Sequence, residues 1–182
     1  MKAQNPHTSS SYGSVSQCLH WLTVFLIFVQ IAMGFGFDLL PGAWKESASA
    51  LHQSLGMATL LVIAFRIFWR LSAVQPQPLA MPKLQQIAAG LTHFALYALC
   101  LAMPVCGWLT VSAFGRDTPF FGILSFPPLI EKDRMTAIFL REAHEAGAWI
   151  LCGLIVLHVG AALYHHIIVK DGILRRMLPT KK

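Results

Sequence analysis

The stretch LREAHEAGAWILCGLIVLHVGAALYHH, residues 140–166, decides how the chain is read. It is long and apolar enough to cross a bilayer, yet it carries His144, His158, His165 and His166. An unpaired polar group among Ala, Gly, Leu, Ile and Val is costly, so these imidazoles need partners. The rest of the 182-residue chain sets the same solvent: 55% of it is hydrophobic and 12% charged, against roughly 25% charged in soluble domains. Four apolar runs, at about 15–37, 51–71, 87–114 and 139–169, each exceed the ~20 residues that span a hydrocarbon core of about 30 Å. The expected fold class is all-α, an integral membrane four-helix transmembrane bundle forming a single domain over residues 1–182.

The first run is too long for the apolar core of a signal peptide, has almost no basic flank and contains His20, so it reads as a retained helix. Turn formers and charge fill the connections at 38–50, 72–86 and 115–138. On a four-span topology one side holds Lys2, Arg66, Arg70, Lys83, Lys170, Arg175, Arg176, Lys181 and Lys182. The other side holds Lys45, Arg116, Lys132, Arg134 and Arg141, diluted by seven of the eight acidic residues. Nine against five places both termini in the cytoplasm. The net charge of +6 is thus mostly a topology signal, with the basic tail near anionic lipid. The basic residues flank spans and form no recognition motif, which excludes nucleic acid as a partner. Cys18, Cys100, Cys106 and Cys152 fall in or at spans and read as four buried free thiols. No Cys-x-x-Cys-His occurs, so covalently attached heme is not indicated.

The histidines sort by depth on this topology. His20 lies near the inner end of helix 1, His52 near the outer end of helix 2, His144 near the outer end of helix 4, and His158 deeper on that helix. Fourteen residues separate His144 from His158, which is about 21 Å of rise and within about 40° of one face. One helix can therefore serve two stacked sites, His52 with His144 outside and His20 with His158 inside. Facing imidazoles at equal depth suit the two axial positions of a heme iron. Zinc is the competing metal, but a closed site needs four ligands and neither level offers enough Cys, His or carboxylate. Gly34, Gly56 and Gly147 fall where a porphyrin needs room, although glycine also serves close packing in membrane helices. Arg66 and Arg70 lie roughly on the His52 face near the inner end, where an Arg can pair with heme propionates or snorkel to the interface. His93 falls at the level of the inner heme, placed to touch a propionate or a quinone, or to sit at the interface. His165 and His166 read as interfacial, and His7 precedes all structure.

A transporter or metal-handling protein with buried proton- or ion-carrying His is the reading from another class. It requires carboxylates or broken helices near mid-membrane. Glu142 and Glu145, at the outer end of helix 4, are the nearest carboxylates.

HW at 20–21, LHQSLG at 51–56, AFRIFWRL at 64–71, GLTHFALYALCLAMPVCGWL at 90–109, REAHEAGAW at 141–149, LHVGAALYHH at 157–166 and DGILRRMLP at 171–179 occur in order. Together they resemble the bacterial cytochrome b561 family over nearly the whole chain. The resemblance implies a four-helix b-type cytochrome of the bacterial inner membrane with two heme b groups. Carried over by motif, its axial ligands are His20 with His158 and His52 with His144. It further implies quinone-linked electron transfer with a periplasmic-side donor, either a redox protein or superoxide, since some members are similar to superoxide oxidase. The 115–138 connection is long enough to cap the outer end, its Phe and Leu residues lying on the membrane surface or docking a periplasmic partner.

Overall fold

The computed structural model describes residues 11–77 and 79–178; His7, Lys2, Lys181, Lys182 and the two ends of the expected domain lie outside them. Where no water reaches, each backbone N–H and C=O must be satisfied within its own segment, and helices result. Four of them are long and apolar enough to cross a membrane: α1 at Ser14–Gly36, α2 at Gly42–Ser72, α3 at Lys83–Ala113 and α4 at Arg134–Tyr164. The protein is a four-helix membrane bundle.

The helices outrun the apolar segments. The expected connection at 38–50 is almost entirely helical, because a single 3₁₀ turn, Phe37–Leu39, and Leu40 lead to Pro41, and α2 starts at once on Gly42. Proline presets its own φ and needs no N–H partner, so it starts a helix well. Pro82 does the same for α3, four residues ahead of the apolar run. The α4 start at Arg134 precedes its run as well; Asp133 caps it by accepting from the Thr136 N–H at 2.7 Å. Those hydrogen bonds from Thr136 hold the Asp133 carboxyl below the usual carboxylate range. Hydroxyls inside the bundle bond back along their own helices, as Thr23 does to the Leu19 carbonyl and Thr59 to that of Leu55, so they carry no orphaned donor into lipid.

Between α3 and α4 the chain forms a small antiparallel hairpin, β1 at Thr118–Phe120 and β2 at Leu124–Phe126, a departure from an all-helical chain that the periodicity did not announce. It caps one end of the bundle. The Ser54 hydroxyl accepts from the Phe121 N–H and reaches the Pro119 carbonyl, Trp108 donates to the Pro127 carbonyl, and Ser112 accepts from the Leu129 N–H. At the opposite end the start of α1 meets the segment that follows α4. After α4 a π-helical turn, His165–Val169, ends at Lys170 in the left-handed conformation, φ 58°, and the chain folds back toward α1. There Gln17 donates to the carbonyls of Arg176 and Leu178, Trp21 donates to that of Met177, and the Tyr12 N–H donates to that of Arg176.

The packed centre of the bundle is Ile63, Cys100 and Leu151, with Ile27, Ile67, Leu96, Leu99, Met103 and Ile155 around it. Of the four cysteines only Cys100 is buried; Cys18 is exposed and Cys106 and Cys152 are half-buried, all four as free thiols. In a bundle this thin most helical faces meet lipid, so a position within a span does not imply burial by protein.

Candidate heme-binding clusters

Leu151 stands seven residues from His144 and seven from His158, so the apolar centre separates two polar clusters along α4 by about 10 Å of rise on each side. The first lies at the hairpin end. His52 of α2 and His144 of α4 face each other with ring centroids 6.3 Å apart. Nδ1 of each ring is buried without a hydrogen-bond partner, though the Met103 carbonyl lies near His144. Glycines line the two rings. A Cβ at Gly34 would stand 3.8 Å from Cε1 of His52, and one at Gly107 would stand 3.4 Å from Cε1 of His144. Phe37 meets the His52 ring edge-on at 5.4 Å. The expected role of Gly147 changes, since a Cβ there would strike the Met103 sulfur at 2.6 Å. That glycine serves the contact between α3 and α4.

The second cluster lies at the end where the segment after α4 meets α1. His158 faces His93 with centroids 5.3 Å apart, and His20 lies on the same level of the bundle. Arg66 donates to Nδ1 of His20 at 3.0 Å. The guanidinium groups of Arg66 and Arg70 both lie over the Tyr97 ring, at 5.2 and 5.9 Å from its centroid. Among the described residues the one ion pair is His165 with Asp171, so neither arginine has a carboxylate partner. Thus all seven residues singled out from the sequence, His20, His52, Arg66, Arg70, His93, His144 and His158, gather in two clusters. What the sequence did not indicate is that His158 packs on His93 and that Arg66 reaches His20.

His165 is not a free interfacial side chain, since its Nδ1 bonds to Asp171. Burial opposes charge on Asp171, but the Ile173 N–H and the His165 ring outweigh it and hold the carboxyl below the usual carboxylate range. Sequence reading also passed over Gln30, an amide in the middle of α1. Its Nε2 donates to the His52 carbonyl at 3.1 Å, and its Oε1 is buried with no partner. The available signal was plain: no other charged or amide side chain lies between Trp21 and Phe37.

The donor set fits heme. At the hairpin end two imidazoles from different helices face each other beside glycine walls, and α1 barely approaches α4 along most of its length. At the other end, two guanidinium groups with no carboxylate partner among the described residues, beside three imidazoles, suit an iron porphyrin with its two carboxylates. No three His, Cys, Asp or Glu side chains gather as a metal-ion cage among the described residues, and Glu142 and Glu145 point outward. A separate apolar groove of about 630 Å³, lined by residues such as Phe28, Met33, Trp44 and Leu51, opens between α1 and α2. Its lining suits an acyl or isoprenoid chain.

Comparison with known proteins agrees with this chemistry. The family model described as prokaryotic cytochrome b561 matches residues 11–180. The chain is 32% identical over 175 residues to cytochrome b561 homolog 2 of Escherichia coli (strain K12), covering 94% of this chain and 93% of the relative. It is 31% identical over 170 residues to cytochrome b561 homolog 1 of the same organism, covering 90% and 94%. It is 28% identical over 174 residues to "Probable superoxide oxidase CybB" of Yersinia pestis, covering 94% and 97%.

Proposed function

The chain belongs to the prokaryotic cytochrome b561 family, and from that premise we propose that it holds two hemes b and moves electrons across the bilayer between a donor at the hairpin end and a membrane quinone. Membership alone makes it a membrane electron-transfer cytochrome that binds heme b. The observation that carries the two-heme reading is the pair of imidazole clusters on either side of the Ile63, Cys100 and Leu151 layer. Heme iron, when bound, takes up and releases one electron at a time. The chain's own residues do the rest. His52 and His144 would hold a heme iron at the hairpin end, and His20 and His158 would hold one at the other. Arg66 and Arg70 give propionates their counter-charge, His93 borders that site, and the apolar layer keeps water out from between the two.

The Lys and Arg count puts the termini in the cytoplasm and the hairpin in the periplasm of a bacterial inner membrane. The donor then arrives from the periplasm. A periplasmic redox protein is the first reading. Superoxide is the second, supported by the Yersinia pestis relative described as a superoxide oxidase.

Heme quantification on protein purified with ample heme supply tests the reading. Two b-type hemes per chain are expected, and His52→Ala retains one while still inserting in the membrane. Two hemes surviving in His52→Ala would overturn the ligand assignment. Rapid mixing separates the donors, since fast heme reduction by superoxide selects the second.

A further inference from the structure

The amide in the middle of α1, Gln30, remains without a role. Gln30 lies one helical turn before Gly34, whose missing Cβ faces the His52 ring, so both present the same face to that histidine. Its Nε2 is anchored on the His52 backbone carbonyl at 3.1 Å. Gly56 leaves room for it, since a Cβ there would come within 3.1 Å of that same nitrogen. Its Oε1 is buried without a hydrogen-bond donor, and the Nδ1 of His52 is buried without a partner as well.

Two unpaired polar atoms on touching residues in a membrane interior are each costly. They are also complementary. A neutral imidazole carries one N–H, and to bind iron through one nitrogen it must hold that hydrogen on the other. The group accepting the N–H fixes the ring orientation and raises the basicity of the ligating nitrogen. An amide oxygen is such an acceptor, and Gln30 already holds its own end of the amide at His52.

We propose that Gln30 is a positioning residue for the heme at the hairpin end. Its Nε2 secures the α2 backbone at His52, and its Oε1 accepts the imidazole N–H, leaving the other ring nitrogen for iron. The inference rests on the two-heme reading above. Removing the acceptor makes His52 a weaker donor and favours reduced iron, which raises the midpoint potential of one heme. A carboxylate in its place makes His52 a stronger donor and lowers it.

The test is a spectroelectrochemical titration of purified wild type, Gln30→Leu and Gln30→Glu, with low-spin heme electron paramagnetic resonance on each. Two waves are expected in wild type. One of them moves up in Gln30→Leu and down in Gln30→Glu, with altered g-values for that heme only, and the other stays fixed. Two hemes with unmoved waves overturn the inference and leave the two-heme reading intact. Shifts of the same sign in both variants also overturn it, because they mark a helix pin and not a proton acceptor. If Gln30→Leu does not fold, the direction of the Gln30→Glu shift decides. A wild type with one heme or none defeats the two-heme reading, and this inference with it.

Discussion

At Gly107 a single hydrogen atom decides what fits beside His144. A Cβ there would lie 3.4 Å from Cε1 and 3.7 Å from Nδ1 of the ring, so a branched side chain must displace it. Gly107→Leu is expected to lower bound heme from two to about one per chain by pyridine hemochrome assay, the loss falling at the hairpin end. Gly90→Leu, where nothing stands within 4 Å of the added carbon, retains both. The histidines were legible because rise per residue converts sequence position into depth once the spans are known. Their cross-helix neighbours were not, since a helical wheel gives the face of one helix and says nothing about which ring of the next helix meets it. Hence the packing of His158 on His93 and the grip of Arg66 on His20 emerge only in three dimensions. Gln30 was not legible for another reason: an amide binds no iron itself, and its value lies in which atoms of the next helix it meets.

Helices and turns differ in how openly the sequence declares them. All four spans are present, but their ends were drawn where the apolar runs stop, whereas the helices begin at Pro41, Pro82 and Asp133 and carry their polar first turns out of the lipid. The hairpin gave little local signal because its strands are three residues each and depend on α2 for their shape. Its tip places Phe121 at φ 53°, a left-handed conformation that a bulky side chain adopts at a cost of about 1–3 kcal/mol. Ser54 helps hold it there by accepting the Phe121 N–H at 3.0 Å. Ser54→Ala leaves that N–H without its hydroxyl acceptor, a loss of about 1–3 kcal/mol. Hydrogen exchange at the Phe121 amide is therefore expected to accelerate roughly tenfold in Ser54→Ala, with Gln30 and the central helices unchanged. Equal exchange rates would assign the hairpin's shape to its own aromatic contacts, Phe120 on Phe126 and Trp108 on Phe126.

For the molecule as a whole, the start of α1 and the segment after α4 meet at one end of the bundle and the hairpin closes the other. The basic residues predict which face is which. A fluorescent protein fused after Lys182 is expected to glow and an alkaline phosphatase fused there to stay inactive, whereas phosphatase inserted at Gly122 is active; the reverse pattern would invert the orientation. The bundle was legible as a whole because lipid allows so few architectures, while the direction of electron flow depends on partners that no span encodes. The contacts of Gln17 and Trp21 with the carbonyls of Arg176, Met177 and Leu178 also impose an order on biosynthesis. Helix α1, translated ahead of the other three spans, receives closing hydrogen bonds from residues that follow all four. Among the described residues α1 otherwise meets α4 at few places, the Phe35 and Trp149 rings being one of them, so the segment after α4 closes a seam that the two helices themselves leave open.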